Sequence, residues 1–174
     1  YFHIKTSNYL EIYEIENVSK EKFEELCDLK QPILLNNYNS NTNINVDYLT
    51  QHYGNFDIKI CKNNSDILLP LTLNDTIKLF EKDTSNNYIS ENNTEFLEET
   101  SLNKNTFICD IFLRPYYISN IESDIILGSL NSYTRLKSHY NCRNYFYIDS
   151  GSVEINMTLP ENIRFLHVNE NIEK

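Results

Sequence analysis

A histidine and an asparagine two residues apart, His139 and Asn141, are the pair in this sequence whose types and spacing most suggest chemistry. On a β-strand, residues i and i+2 point to the same face. A His-x-Asp pair there can supply two ligands of a 2-His-1-carboxylate iron site. Asparagine has nearly the shape of aspartate but is neutral, so Asn141 offers Fe(II) one weak carbonyl ligand and no negative charge. The pair therefore predicts a weakened metal site. The alternative is a hydrogen-bonded rim histidine beside an asparagine that caps a turn.

The residues that follow this pair predict a β-hairpin. Residues 144–148 and 152–159 are rich in aromatic and β-branched side chains, and they flank Asp149-Ser150-Gly151. Glycine at the third position suits a tight turn with positive φ. The hairpin would hold His139 and Asn141 at its entrance.

Helices and strands alternate upstream of this hairpin. Ser19 predicts the N-cap of a helix to Leu29, Asn74 predicts the cap of a helix over 75–82, and Gly54 predicts the end of a short helix over 47–53. Apolar runs predict strands at 9–15, 32–35 and 56–60. The order predicts an α+β fold, with helices preceding a mostly antiparallel β core.

A longer stretch, residues 139–161, resembles the metal-binding strand and hairpin of the JmjC and cupin-like (asparaginyl-hydroxylase type) Fe(II)/2-oxoglutarate oxygenases. Residues 31–38, 49–60 and 126–128 resemble earlier segments of the same family. The resemblance implies a double-stranded β-helix, or jelly roll, with N-terminal helices. It also implies a second iron-binding histidine well downstream, so the jelly roll is expected to be truncated at its C-terminus; His167 lies too close to the hairpin to face His139.

Matched residue by residue, the family's working parts are mostly replaced. His139 matches the first iron ligand, and Asn141 stands in place of the acidic one. The hydroxyl residue expected to bind the cofactor is represented only by the nearby Thr134, and Asn144 matches a family asparagine with its spacing one residue short. The lysine that would bind the 2-oxoglutarate carboxylate is Val153. Losing the carboxylate and the lysine removes both charges that hold iron and cofactor.

Composition narrows the class of protein further. The 174 residues include 26 Asn and no Ala, and a formal charge of −10 makes nucleic-acid binding unfavourable. No apolar run is long enough to predict a membrane span. Four widely separated cysteines among apolar neighbours predict reduced thiols, and with them an intracellular, cytoplasmic location.

Together these features predict one domain over residues 1–174. It comprises an N-terminal α/β part (1–82), an exposed low-complexity insertion (83–105) and jelly-roll strands (106–174). Within the insertion, Tyr88-Ile89 could pair briefly with a sheet. We expect a catalytically inactive binding or structural module with a protein partner and no cofactor. The alternative is an Fe(II)/2-oxoglutarate-dependent protein hydroxylase or demethylase whose ligands are completed outside this chain.

Overall fold

The computed structural model describes residues 11–38, 44–63, 65, 67–85, 87–102, 111–139, 141–159, 162 and 165. The chain divides into two compact units, one formed by residues 1–40 with 153–174 and the other by residues 41–152. In the described part, no helix is long and apolar enough to cross a lipid bilayer.

The first unit contains a small β-α-β arrangement. Strand β1 (Tyr13–Ile15) is followed by helix α1 (Lys20–Asp28) and strand β2 (Ile33–Leu35), and the two strands pair in parallel. Ser19 caps α1 as predicted, because its Oγ accepts a hydrogen bond from Lys22 N at 3.3 Å. Phe23 is the buried residue of this helix.

The second unit is built on a four-stranded antiparallel sheet of order β4-β3-β5-β6. Its strands are β3 (Asp57–Lys62), β4 (Leu68–Thr72), β5 (Tyr88–Ser90) and β6 (Leu127–Gly128). Its helices are α2 (Val46–Tyr53), α3 (Leu73–Lys82) and α4 (Thr94–Glu99). The mixed α/β character predicted from the sequence is thus confirmed, and the two sheets of the described residues do not close into a barrel. The jelly roll stays a prediction.

One buried cluster joins the sheet to the three helices of this unit. Ile58 on β3 packs with apolar side chains from α2, α3, α4 and the residues after α4, and each of them is at most 5% exposed. They are Leu49, Leu73, Phe96, Leu97 and Leu102. Burying side chains of this size contributes about 1.5–3 kcal/mol each, so this cluster is a main source of the unit's stability.

One helix start and one helix-ending conformation differ from the sequence prediction. Helix α3 begins at Leu73, directly after β4, and is capped by Thr72, whose Oγ1 accepts from Asp75 N at 3.2 Å. Asn74, the predicted cap, lies inside the first turn. Gly54 does end α2, but with φ −57° instead of a left-handed conformation. A Cβ at Gly54 would collide with the Asn74 side chain and the Thr50 carbonyl oxygen, so close packing is what requires glycine there.

Residues 83–105, predicted to be an exposed insertion, supply several side chains to the core in their described part. They include β5 and α4, and Ile89, Phe96 and Leu97 are 6%, 3% and 1% exposed. The sequence singles out Tyr88-Ile89 as able to pair with a sheet, and β5 confirms this. The prediction of an exposed segment was wrong at Phe96, Leu97 and Leu102, which are buried. Its polar residues are used in hydrogen bonds that attach the segment to the sheet.

The predicted hairpin strands also differ from the structure. Residues 144–148 and 152–159 lie in neither a helix nor a strand, and Phe146 and Ile155 remain 56% and 45% exposed. A two-stranded hairpin is marginal in water unless one of its faces is covered. The apolar residues of the predicted hairpin therefore remain mostly exposed.

Candidate functional site

The two residues predicted to bind metal, His139 and Asn141, are both exposed. The imidazole ring of His139 meets the Phe146 ring edge-on, with 6.4 Å between ring centroids. In the part of the chain that the structure describes, no group of three His, Cys, Asp or Glu side chains is placed to hold a metal ion. His139 and Asn141 offer one imidazole and one neutral amide, a donor set that does not fit Fe(II).

Thr134 and Asn144, the residues expected to bind a cofactor, are exposed as well. One neighbouring contact does anchor this region: Tyr145 Oη donates a hydrogen bond to the Leu113 carbonyl oxygen at 2.8 Å. His167 lies outside the described residues.

A cleft of about 360 Å³ lies at the start of β3, beside α4. Its walls combine aromatic and apolar groups with carboxylates. They are Asn55, Phe56, Asp57, Ile58, Lys59, Pro70, Asn93, Glu95, Phe96 and Glu99. Across the cleft, Lys59 Nζ and Glu95 Oε1 form an ion pair at 3.0 Å. Because Glu95 is largely exposed, this pair contributes little to stability, about 0–1 kcal/mol.

Asn93, which lines this cleft, is the centre of a buried polar network. It is 2% exposed, and its Oδ1 accepts from Lys59 N at 2.9 Å. Its Nδ2 donates to Ser90 Oγ at 2.9 Å and to the Ile125 carbonyl at 2.8 Å. Asn93 occupies the N-cap position of α4 without capping it through its side chain. The amide group instead connects β3, β5 and the segment leading to β6.

Asp124 completes this junction. Its carboxylate accepts backbone hydrogen bonds from Asn92 N at 2.8 Å and from Asn93 N at 2.7 Å, at the N-terminus of α4. A carboxylate at this end of a helix is favoured by the partial positive charge of the unpaired N–H groups. In the sequence, an asparagine before an acidic first turn could have marked the start of α4 at Asn93, but the abundance of asparagine made that signal hard to recognise.

A second junction holds the end of α3 to the residue after β6. The Asp83 carboxylate accepts from Ser129 Oγ at 2.7 Å, from Ser85 Oγ at 2.7 Å and from Asn87 N at 2.9 Å. Hydrogen bonds from Ser85 and then Ser129 hold the pKa of Asp83 far below its usual value. These contacts stabilise the charged form of the carboxylate. They hold the turn that follows α3 in place, and they do not activate a reacting group.

Cys61 lies on β3 near a pair of opposite charges, Glu91 and Lys137, which form an ion pair. Burial raises the pKa of the Cys61 thiol, and Glu91 raises it further, while Lys137 and Arg135 oppose the shift. A thiol with a raised pKa is a weak nucleophile at neutral pH. Of the cysteines in the described part, Cys27, Cys61 and Cys142 are free thiols; the first two are partly buried and Cys142 is exposed.

Comparisons of this chain with protein-family models, with curated proteins and with solved structures found no match. The functional assignment therefore depends on the residues and geometry described above.

Proposed function

We propose that this chain is a cupin/JmjC-like domain that acts as a catalytically inactive protein-binding module. The resemblance of residues 139–161 to the oxygenase hairpin supports the family. The neutral Asn141 and the apolar Val153, at positions where the family has charges, support the loss of iron and 2-oxoglutarate binding.

The observation that carries the binding role is the exposure of large apolar side chains between residues 111 and 148. Tyr117 is 96% exposed, Leu130 75% and Leu136 58%. Others in this range are between 41% and 83% exposed: Ile111, Tyr116, Ile121, Ile126, Tyr133, Tyr145, Phe146, Tyr147 and Ile148. Monomeric proteins seldom expose large contiguous apolar patches, and such patches commonly mark sites of protein interaction. We infer that these neighbouring side chains contribute to such a patch.

The test of catalytic inactivity is metal binding. We expect the chain, prepared anaerobically with Fe(II) or Mn(II), to retain less than one equivalent of metal and to show no 2-oxoglutarate turnover. His139→Ala should leave both measurements unchanged. His52→Ala is the matched control, because His52 is also exposed but stacks on Tyr48 within α2.

Stoichiometric metal that is lost in His139→Ala and kept in His52→Ala, together with turnover, would establish the alternative, an active hydroxylase. Asn141→Asp sharpens the measurement, because it restores the charge that the family's site contains. Tighter metal binding in that variant would support the family assignment even if the natural chain is inactive.

The binding role has its own test. Once a partner is identified, a double substitution of exposed apolar residues, Tyr117→Ser with Leu136→Ser, should weaken the complex at least tenfold in isothermal titration calorimetry. His139→Ala should bind like the natural chain. Unchanged affinity in the double variant, with circular dichroism showing an intact fold, would contradict the assignment of the surface.

A further inference from the structure

Among the residues that the structure describes, strand β4 (Leu68–Thr72) lies at one edge of the four-stranded sheet and pairs on one side only, with β3. We call that unpaired side the free edge. Three consecutive apolar residues at this edge are exposed: Ile67 by 68%, Leu68 by 45% and Leu69 by 56%. An edge strand with exposed apolar side chains can serve as a template for another strand and so promote aggregation.

Two hydrogen bonds fix which backbone groups of β4 point towards β3. The first lies next to the Asp57–Thr72 pair, where Leu73 N donates to the Phe56 carbonyl at 2.9 Å. Phe56 and Leu73 thus extend the β3–β4 ladder by one position, and they form a hydrogen-bonded pair. In an antiparallel ladder such pairs alternate with pairs whose backbone groups point away from each other. Counting every second pair from Phe56–Leu73, the Ile58–Leu71 and Ile60–Leu69 pairs are also hydrogen-bonded.

The second hydrogen bond, on the other side of β3, agrees with this alternation. Lys59 N donates to Asn93 Oδ1 at 2.9 Å, on the side of β3 that faces away from β4. The partner of Lys59 in the ladder is Pro70. Lys59–Pro70 is thus a pair whose backbone groups point away from each other, and those of Pro70 point to the free edge.

The free edge therefore presents the backbone groups of Leu68, Pro70 and Thr72, with proline in the centre. Proline has no N–H, so the middle position offers an acceptor and no donor. If a second copy added its own β4 about a two-fold axis, residue 70 would face residue 70. An ordinary residue would exchange two N–H···O bonds there, and proline removes both.

We propose that Pro70 closes this edge to strand addition by a second copy of the chain. Proline is compatible with β4 because its missing donor faces away from β3. The same orientation places the missing donor where an added strand would need it. The inference concerns self-association and does not depend on the proposed binding function.

The test is Pro70→Thr, which restores the N–H and keeps a residue that favours strands. Its matched control is Pro115→Thr, which removes a proline outside the sheet. In sedimentation equilibrium we expect Pro70→Thr to associate at least tenfold more tightly than the natural chain, since two hydrogen bonds are gained per dimer. Pro115→Thr should behave like the natural chain.

A double variant identifies the interface. Leu68→Lys places a charge beside residue 70 on the same free edge, so Pro70→Thr with Leu68→Lys should return to the association state of the natural chain. Amide hydrogen exchange adds a local measurement on Pro70→Thr. The backbone N–H that this substitution introduces should exchange quickly in dilute samples and become protected as association proceeds.

The proposal is overturned if Pro70→Thr is folded and associates no more than the natural chain, or if Pro115→Thr associates equally. It is also overturned if Leu68→Lys has no effect on the associated variant. If the introduced amide at position 70 is already protected in dilute monomer, its N–H points to β3 and the orientation of β4 has been misassigned.

Discussion

Residues 44–102 and residues 111–148 belong to the same compact unit but differ in how their side chains are used. The first region contains the buried cluster of Ile58, Leu73 and Leu97, together with the network centred on Asn93. In the second, Ser129 is the only buried residue among those described. The motif with the strongest family resemblance thus begins in the region with the least burial.

This contrast separates two kinds of information in the sequence. A motif such as His139-Tyr-Asn141 shows only that a short stretch of sequence is similar to one in another family. Stability depends instead on which side chains are removed from water. The segment predicted to be a low-complexity insertion, residues 83–105, supplies Phe96 and Leu97 to the core. Function and stability therefore have to be tested in different regions of this chain.

The largest difference between the two regions should be seen when leucine is truncated. Leu97→Ala removes a side chain that is 1% exposed within the buried cluster, and we expect it to lower the free energy of unfolding by about 2–5 kcal/mol. Leu136→Ala removes a side chain that is 58% exposed and should change it by no more than about 0.5 kcal/mol. Urea denaturation measures both. Equal effects would mean that residues 111–148 are more tightly packed than the structure indicates.

A smaller difference is expected for two asparagines. Asn93→Ala leaves Lys59 N and the Ile125 carbonyl without their side-chain partner, so it should destabilise the fold by about 1–3 kcal/mol. Asn144→Ala changes an exposed side chain at the predicted cofactor position and should be nearly neutral. Thermal unfolding followed by circular dichroism compares the two. A neutral Asn93→Ala would show that water replaces the lost bonds.

The smallest expected effect is on how the free energy of unfolding depends on pH, through the Asp83 carboxylate that holds the turn after α3. Because the pKa of this carboxyl is lowered in the folded state, its hydrogen bonds stabilise the fold above its ordinary pKa of 3.8. That contribution is lost as the pH falls through the lower, folded-state value. The natural chain should therefore lose stability more steeply than Asp83→Asn between about pH 4 and pH 2. Asp149→Asn, at an exposed position, is the control, and parallel curves for Asp83→Asn and the natural chain would contradict the prediction.

Local signals in the sequence were accurate where a short-range interaction decides the structure. Ser19 lies three residues before Lys22, and its cap requires only the first turn of α1. The strands at β1, β2 and β3 likewise follow from short apolar runs. One local signal misled: β4 was not predicted, although it pairs with the preceding strand β3, because Pro70 is unusual in a strand unless that strand lies at an edge.

The candidate site shows the same division. The residue types at His139, Asn141 and Val153, and the charges missing there, can be known from the sequence alone. The burial of Asn93 could not be known, because its partners Lys59 and Ile125 are 34 and 32 residues away. Among 26 asparagines, composition alone does not distinguish the one that connects three segments.

The sequence by itself determined the Ser19 helix cap, the short strands, the acidic charge and the neutral residue types at Asn141 and Val153. These depend on residue type and on neighbours within a few positions. Only the tertiary structure decided that Phe96 and Leu97 are part of the core, that Asn93 and Asp83 fix the junctions, and that Pro70 faces the free edge of β4. Burial and strand order arise from contacts between residues far apart in the chain, and no local pattern encodes them.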